Sequence, residues 1–373
     1  MAPISPPVSE SARDRPLRVG FIPLTDAAPL IVAQELGFFS RQNLRVELSR
    51  QVGWATIREK IVYGELEAAH APAPMLWDVH LGLGSAPCPV LTSLVLNLNG
   101  NAITLSERLY AEGGRDAASL RELVRSRRGE RRITLGVVFQ FSSHHLLLRD
   151  WLQAAGINPE RDVRIVVVPP AQMFRNLTAG TIDGYCVGEP WNSLAVRAGA
   201  GWCPMWSAAF APGHMEKVLM MSQRFADARP GEHARLLLAI HEAAAWCDAP
   251  QNRERLAEML SSARYLNVPA RVISPALLGR FDCGHGRIEN VPEFHVFHRG
   301  GASFPSVEKA EALQRALSAA NLVPPATPAD LPRRLFREDL LRSALEQHLP
   351  LAASPERATP AGRLANEEAS SAR

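Results

Sequence analysis

Residues 17–39 read LRVGFIPLTDAAPLIVAQELGFF, and this stretch decides the fold. Its first eight residues, LRVGFIPL, are a β-rich apolar run. Thr25 and Asp26 then offer cap residues, and apolar positions recur at helical spacing from about 27 to 39. A strand handed to a helix across a short turn is the repeating unit of a parallel sheet covered by helices. The unit recurs, with strands expected at 44–48, 67–71 and 90–98 and helices at 55–63 and 74–81. A second block follows, with strands at 133–139, 163–168 and 182–187. Its helices run from the cap residues Ser142 and Ser143 to about 155, then over 171–179 and 189–198. Residues 217–222 read as a strand leading back to the first block. Helices at 232–248, 253–262, 307–320 and 336–348 complete the chain.

Two such blocks predict an α/β protein of two lobes, the second inserted into the first and joined to it by crossover strands. A ligand cleft then lies between the lobes, beyond the carboxyl ends of the strands. The expected division gives residues 17–105 and 217–305 to lobe 1, and 106–216 to lobe 2. Residues 306–351 form a C-terminal helical extension. The leader, 1–16, and the polar Ala/Ser/Pro-rich tail, 352–373, read as disordered.

Composition narrows the function classes. The chain has 373 residues, enough for two ordinary domains, with 46% hydrophobic and 21% charged residues. Its net charge of +3 is too small to argue for nucleic acid or an anionic membrane. Five cysteines without a CxxC pair argue for reduced thiols rather than a disulfide framework. Residues 1–16 show no apolar signal core, twin arginine or lipobox cysteine, which predicts a cytoplasmic protein. No apolar stretch approaches the ~18 residues of a membrane span. There is no GxSxG, HExxH, Walker loop or GxGxxG, so no enzyme is expected.

Three residues stand where strands hand over to helices. Trp54 opens a helix in GWATIR, where its indole N–H can donate beside free backbone N–H groups. A tryptophan capping a core face is the commoner reading of the same residues. His144 opens a helix whose apolar side is Leu146, Leu147, Leu148, Trp151 and Leu152; it is either a cleft donor or half of a surface histidine pair. Lys217 is one of only three lysines among forty-one basic residues. It supplies a compact charge to a cleft or a weak rim ion pair with Glu216. Cys283, His285, His295 and His298 crowd together, but C-x-H-x9-H-x2-H matches no common zinc pattern, and no metal is expected. The arginine-rich run 121–132 lacks stacking aromatics and reads as solvated.

The segments LRVGFIPLTDAAPLIVAQELGFF, GWATIREKIVYGELEAAHAPAPM, LNLNGNAITLS, VVVPPAQM, GTIDGYCVGEPWN and FDCGHGRIENVP together resemble the nitrate- and bicarbonate-binding solute receptors of ABC transporters. The resemblance runs from about residue 17 to 305 and implies a type II periplasmic-binding-protein fold. It implies a ligand set of Trp54, His144 and Lys217, with Asn101 where the nitrate receptors carry glutamine. Asn101 keeps the amide but is one methylene shorter. Bicarbonate-binding relatives are expected to hold calcium with an acidic residue near the lysine position, against which Lys217 argues. With no leader in 1–16, the chain is more similar to the cytoplasmic NasS-type nitrate/nitrite sensors. That resemblance implies sequestration of an ANTAR-type RNA-binding antiterminator, released when nitrate or nitrite binds, with no cofactor. The alternative it leaves open is the substrate-binding component of a nitrate/nitrite ABC transporter. In either role one lysine is expected to match the single charge of a planar oxyanion.

Overall fold

The computed structural model describes residues 15–127 and 131–348, and two separate sheets organise them. The first contains β1 (Leu17–Phe21), β2 (Val46–Arg50), β3 (Ala68–Pro72) and β4 (Val90–Asn99). The second contains β5 (Asn101–Ser106), β6 (Thr134–Val137), β7 (Arg164–Val167), β8 (Gly184–Gly188) and β9 (Gly201–Trp206). β10 (Met215–Ser222) returns to the first sheet, and β13 (His295–Val296) closes its edge. A separate hairpin is made by β11 (Arg280–Gly284) and β12 (Arg287–Asn290). The orders are β13-β4-β10-β3-β1-β2 and β7-β6-β8-β5-β9.

Within each sheet the strand–helix units pair in parallel, β1 with β2 and β3, and β6 with β7 and β8. The strands β4, β5 and β10, which cross or return between lobes, are buried almost throughout. Burial on both faces is why they read as continuous apolar runs. The α/β two-lobe architecture expected from the rhythm is therefore present. The helix expected over 27–39 is divided: Ala28–Glu35 ends before Gly37, whose φ of 71° suits glycine, and Phe38–Arg41 restarts beyond it.

The lobe boundaries differ from those expected. Asn101–Ser106 pairs with β8 and β9, so the first crossover falls at Gly100 and not after residue 105. The return strand begins at Met215, not at 217. Residues 270–290 were expected in lobe 1, yet Ala276, Phe281, Cys283, Val291 and Phe294 share a core with Ala102 and Cys203 of the second lobe. His285 stacks on Tyr110 at 3.6 Å and contacts Glu107, fastening the hairpin to that lobe. The C-terminal helices pack against the first lobe. Leu317, Leu335, Phe336 and Leu341 belong to the main core, and Phe336 bridges Thr92 of β4. The expected disordered leader and tail fall almost wholly outside the described residues.

One residue ties the crossing segments together. Asn99, at φ 61°, accepts from Gly213 N at 2.8 Å and donates to Glu293 O at 2.8 Å. Gly100 follows at φ 93°, and a Cβ there would stand 2.6 Å from His295 Cε1. Both its conformation and its neighbour require glycine.

Candidate functional site

The site begins with a fault in β10. Met215 pairs with Leu98 and Lys217 with Asn97, so Glu216 is one residue too many on its strand. Such a bulge breaks the alternation of side chains. Glu216 and Lys217, adjacent in sequence, are both fully buried and both join one polar network. Lys217 Nζ donates to Glu216 Oε1 at 2.5 Å and to Asp26 Oδ2 at 2.9 Å. Asp26 Oδ1 lies 2.7 Å from His70 Nε2, and Asn101 Nδ2 donates to Glu216 Oε2 at 2.7 Å. His144 Nε2 stands 3.4 Å from Glu216 Oε1, and His214 Nε2 3.4 Å from Oε2.

Local sequence explains these positions. Asp26 follows β1, in the 3-10 turn Thr25–Ala27, and His70 lies within β3. Trp54 is the first residue of helix Trp54–Val62, capped by extended Gly53 just beyond β2. His144 is in the first turn of Ser143–Ala154, where Ser142 caps the helix by accepting from His145 N. Asn101 is the first residue of β5, directly after Gly100. The network thus gathers at the carboxyl ends of the parallel strands, where an open α/β sheet leaves backbone groups and side chains free to converge.

The four sequence-derived candidates come together here. The Trp54 ring centroid is 5.5 Å from Lys217 Nζ and 6.0 Å from the His70 ring. Trp54 Nε1, both His144 ring nitrogens and Asn101 Oδ1 are buried without a hydrogen bond. Unpartnered buried polar atoms are uncommon in folded proteins and mark places where a further partner binds.

Several expectations are corrected. Lys217 is no rim lysine, and His144 is no surface histidine; each is fully buried. Asp26 does not cap a helix, since its carboxylate is turned to His70 and Lys217. Most consequentially, Lys217 does not offer one unspent charge, because two carboxylates already flank it. An acidic residue does stand beside the lysine, and it is Glu216. The sequence-derived set missed Asp26, His70 and Glu216. Glu216 was visible in HMEK, but period-two alternation assigns neighbours to opposite faces and hides it.

The electrostatics follow from burial set against pairing. Burial pushes Asp26 up, but Lys217 and His70 outweigh it and hold the carboxyl below its usual range. Burial likewise opposes ionisation of Glu216, while His144 and Lys217 hold it well below the ordinary value. Lys217 is lowered by burial and raised further by Asp26 and Glu216, so it stays charged. His144 falls to about 4, with burial outweighing Glu216.

The remaining candidates disperse. His285 lies on Tyr110 and His298 against His241, with ring centroids 4.6 Å apart. Among the described residues no group of three His, Cys, Asp or Glu is placed to hold a metal ion. Arg121 and Arg125 pair with Glu122 on the surface, while 128–130 lie outside the described residues. No helix among the described residues is long and apolar enough to cross a membrane.

Two α/β lobes joined by crossing segments at Gly100, with polar groups converging between them at strand ends, define the class of two-lobe ligand-binding proteins. The NMT1-like family model matches residues 10–261, and the chain belongs to that family. It is 35% identical to the nitrate/nitrite binding protein NrtA of Nostoc sp., over 77% of this chain and 67% of that protein. It is 42% identical to the bicarbonate transport ATP-binding protein CmpC of Synechococcus elongatus, over 69% of this chain. The chain spans about two-fifths of that relative's length. The crystal structure of the periplasmic nitrate-binding protein NrtA from Synechocystis superposes with a TM-score of 0.85. That likeness covers 89% of both chains at 30% identity. The chain is therefore an NrtA-like member of the family.

Proposed function

We propose that this protein is a clamp for a planar, monovalent oxyanion, nitrate or nitrite, serving as the binding component of an ABC import system. The observation that carries the reading is the set of buried, unpartnered polar atoms around a buried lysine: Trp54 Nε1 and both nitrogens of His144. Nitrate is flat and weakly hydrated, and its oxygens accept from several directions. Trp54, His144, Asn101 and Lys217 approach from two lobes, so their donors reach one such ligand only when the clamp is closed. Charge-assisted hydrogen bonds contribute ~1.5–3 kcal/mol each, and a few of them support micromolar binding at about −8 kcal/mol. Calorimetric titration with nitrate, nitrite and bicarbonate tests the reading. Micromolar affinity for nitrate or nitrite is expected; no binding at millimolar concentration, or preference for bicarbonate, overturns it.

One contact favours a second reading, a cytoplasmic sensor that holds an ANTAR-type antiterminator and releases it on ligand binding. Lys309, on the C-terminal helix Val307–Ala319, donates to Gly213 O at 2.7 Å, three residues before Glu216. This connects the site to an outer surface that a partner can reach, so closure can bias partner affinity through a population shift. A pull-down from cytoplasm, with and without nitrate, tests it; nitrate-independent capture, or none, leaves the import reading alone.

A further inference from the structure

We infer that Glu216 makes anion binding proton-coupled: nitrate or nitrite enters together with one proton, which settles between His144 Nε2 and the Glu216 carboxylate. The inference rests on the functional reading above. Asp26 and Glu216 bring two negative charges and Lys217 one positive, all fully buried and bonded to one another. A monovalent anion placed beside them leaves two uncompensated negative charges in a buried cluster, which burial strongly disfavours. One proton cancels the charge that the anion adds.

The groups facing Glu216 narrow the choice of acceptor. Lys217, on the same strand, already carries its proton. Cys186, on β8, is kept a thiol by burial and by the charge of Glu216. His70 is committed to Asp26 at 2.7 Å, and both reach Glu216 only through Lys217. His214, on the loop before β10, is partly exposed and anchored through Nδ1 to Ala211 O at 3.0 Å. His144 and His295 are both fully buried with both nitrogens unbonded, and of the two it is His144 that stands against Glu216, 3.4 Å from Oε1. Protonated, it gives the carboxylate a partner and the anion a cationic donor. Burial keeps it neutral in the free protein, and a bound anion supplies the charge stabilisation that burial removed.

The test is titration of the full chain with sodium nitrate at pH 7.5, in HEPES and in Tris, whose ionisation heats differ. Uptake of close to one proton per nitrate is expected, with the Kd weakening ~tenfold per pH unit from pH 7 to 8.5. Glu216→Gln is expected to bind nitrate without that uptake, its Kd flat within about twofold over the same range. His214→Gln is expected to leave uptake unchanged. Binding by the native protein with no uptake overturns the inference and leaves the functional reading standing. Uptake that survives Glu216→Gln overturns the assignment to Glu216, and uptake that disappears with His214→Gln overturns the placement of the proton at His144. No binding of nitrate or nitrite by the native protein removes both. The native measurement decides even where a variant fails to fold.

Discussion

The two lobes bring opposite kinds of polar group to the cleft. From the first sheet come charges that already have partners: Asp26 with His70 and Lys217, and Lys217 with Glu216. From the second lobe come neutral groups left incomplete: His144, with both nitrogens unbonded, and Asn101, with a free Oδ1. Unpartnered burial explains the division. A buried charge stripped of its partner costs ~3–5 kcal/mol, so it must be satisfied in the free fold. A neutral polar atom left alone costs ~1–3 kcal/mol, so a donor such as the Trp54 indole N–H or a His144 ring N–H can wait for an anion. The first-sheet network therefore holds the fold as well as the site, whereas His144 serves the site alone. Trp54 belongs to the first lobe but sides with the second, since its indole N–H is unbonded.

Lys217→Ala is the harshest test of this contrast. It leaves the Asp26 and Glu216 carboxylates buried together with no cation between them, so stability is expected to fall by about 3–5 kcal/mol and the melting point by roughly 10 °C. Anion binding is expected to disappear with it. A melting curve like that of the native protein, or an unchanged Kd by calorimetry, breaks the account of the first sheet. His144→Ala is expected to do the reverse. No hydrogen bond is lost from the free protein and only the cavity left by the ring counts, so the melting point falls by about 2–4 °C, less than half the fall for Lys217→Ala. Nitrate affinity falls ~10–100-fold, the loss of one charge-assisted bond. If His144→Ala melts as early as Lys217→Ala, the division between the lobes does not exist.

Much of this was legible in the sequence. The strand–helix rhythm gave the two-lobe class because parallel units must bury both sheet faces, and that leaves an apolar signature. Trp54 and His144 were visible as residues at helix starts. What stayed hidden depended on contacts distant in sequence. Asp26 reads as a cap because Asp is a good cap, and partners far along the chain, His70 and Lys217, 44 and 191 positions away, draw it inward. Glu216 was hidden by a bulge that no local pattern announces. The hairpin 280–290 has a half-polar face, so nothing in it told which lobe would cover Phe281 and Cys283. The crossover at Gly100 was misplaced because NAIT continues the apolar run of β4, with only the Asn99-Gly100 pair to mark the turn.

Asn101→Gln is the smallest and most discriminating change. The Asn101 amide nitrogen donates to Glu216 Oε2 at 2.7 Å while its oxygen has no donor, so the residue is tied to the charged network at one end and open at the other. Glutamine is the residue that the resemblance to nitrate receptors implies at this position, and it adds one methylene of reach. Gly188 lies beside the amide, where a Cβ would stand 3.4 Å from Asn101 Oδ1, and the glycine leaves that space open to the longer side chain. If the amide contacts the anion, the longer side chain keeps nitrate affinity within about threefold or tightens it, a change below 1 kcal/mol. If its role is to hold Glu216 in place, the displaced amide frees that carboxylate, and affinity falls while the melting point drops. Calorimetry and a thermal melt on the same variant separate the cases. A Kd weakened ~30-fold with a lowered melting point moves Asn101 from the ligand set into the charged network.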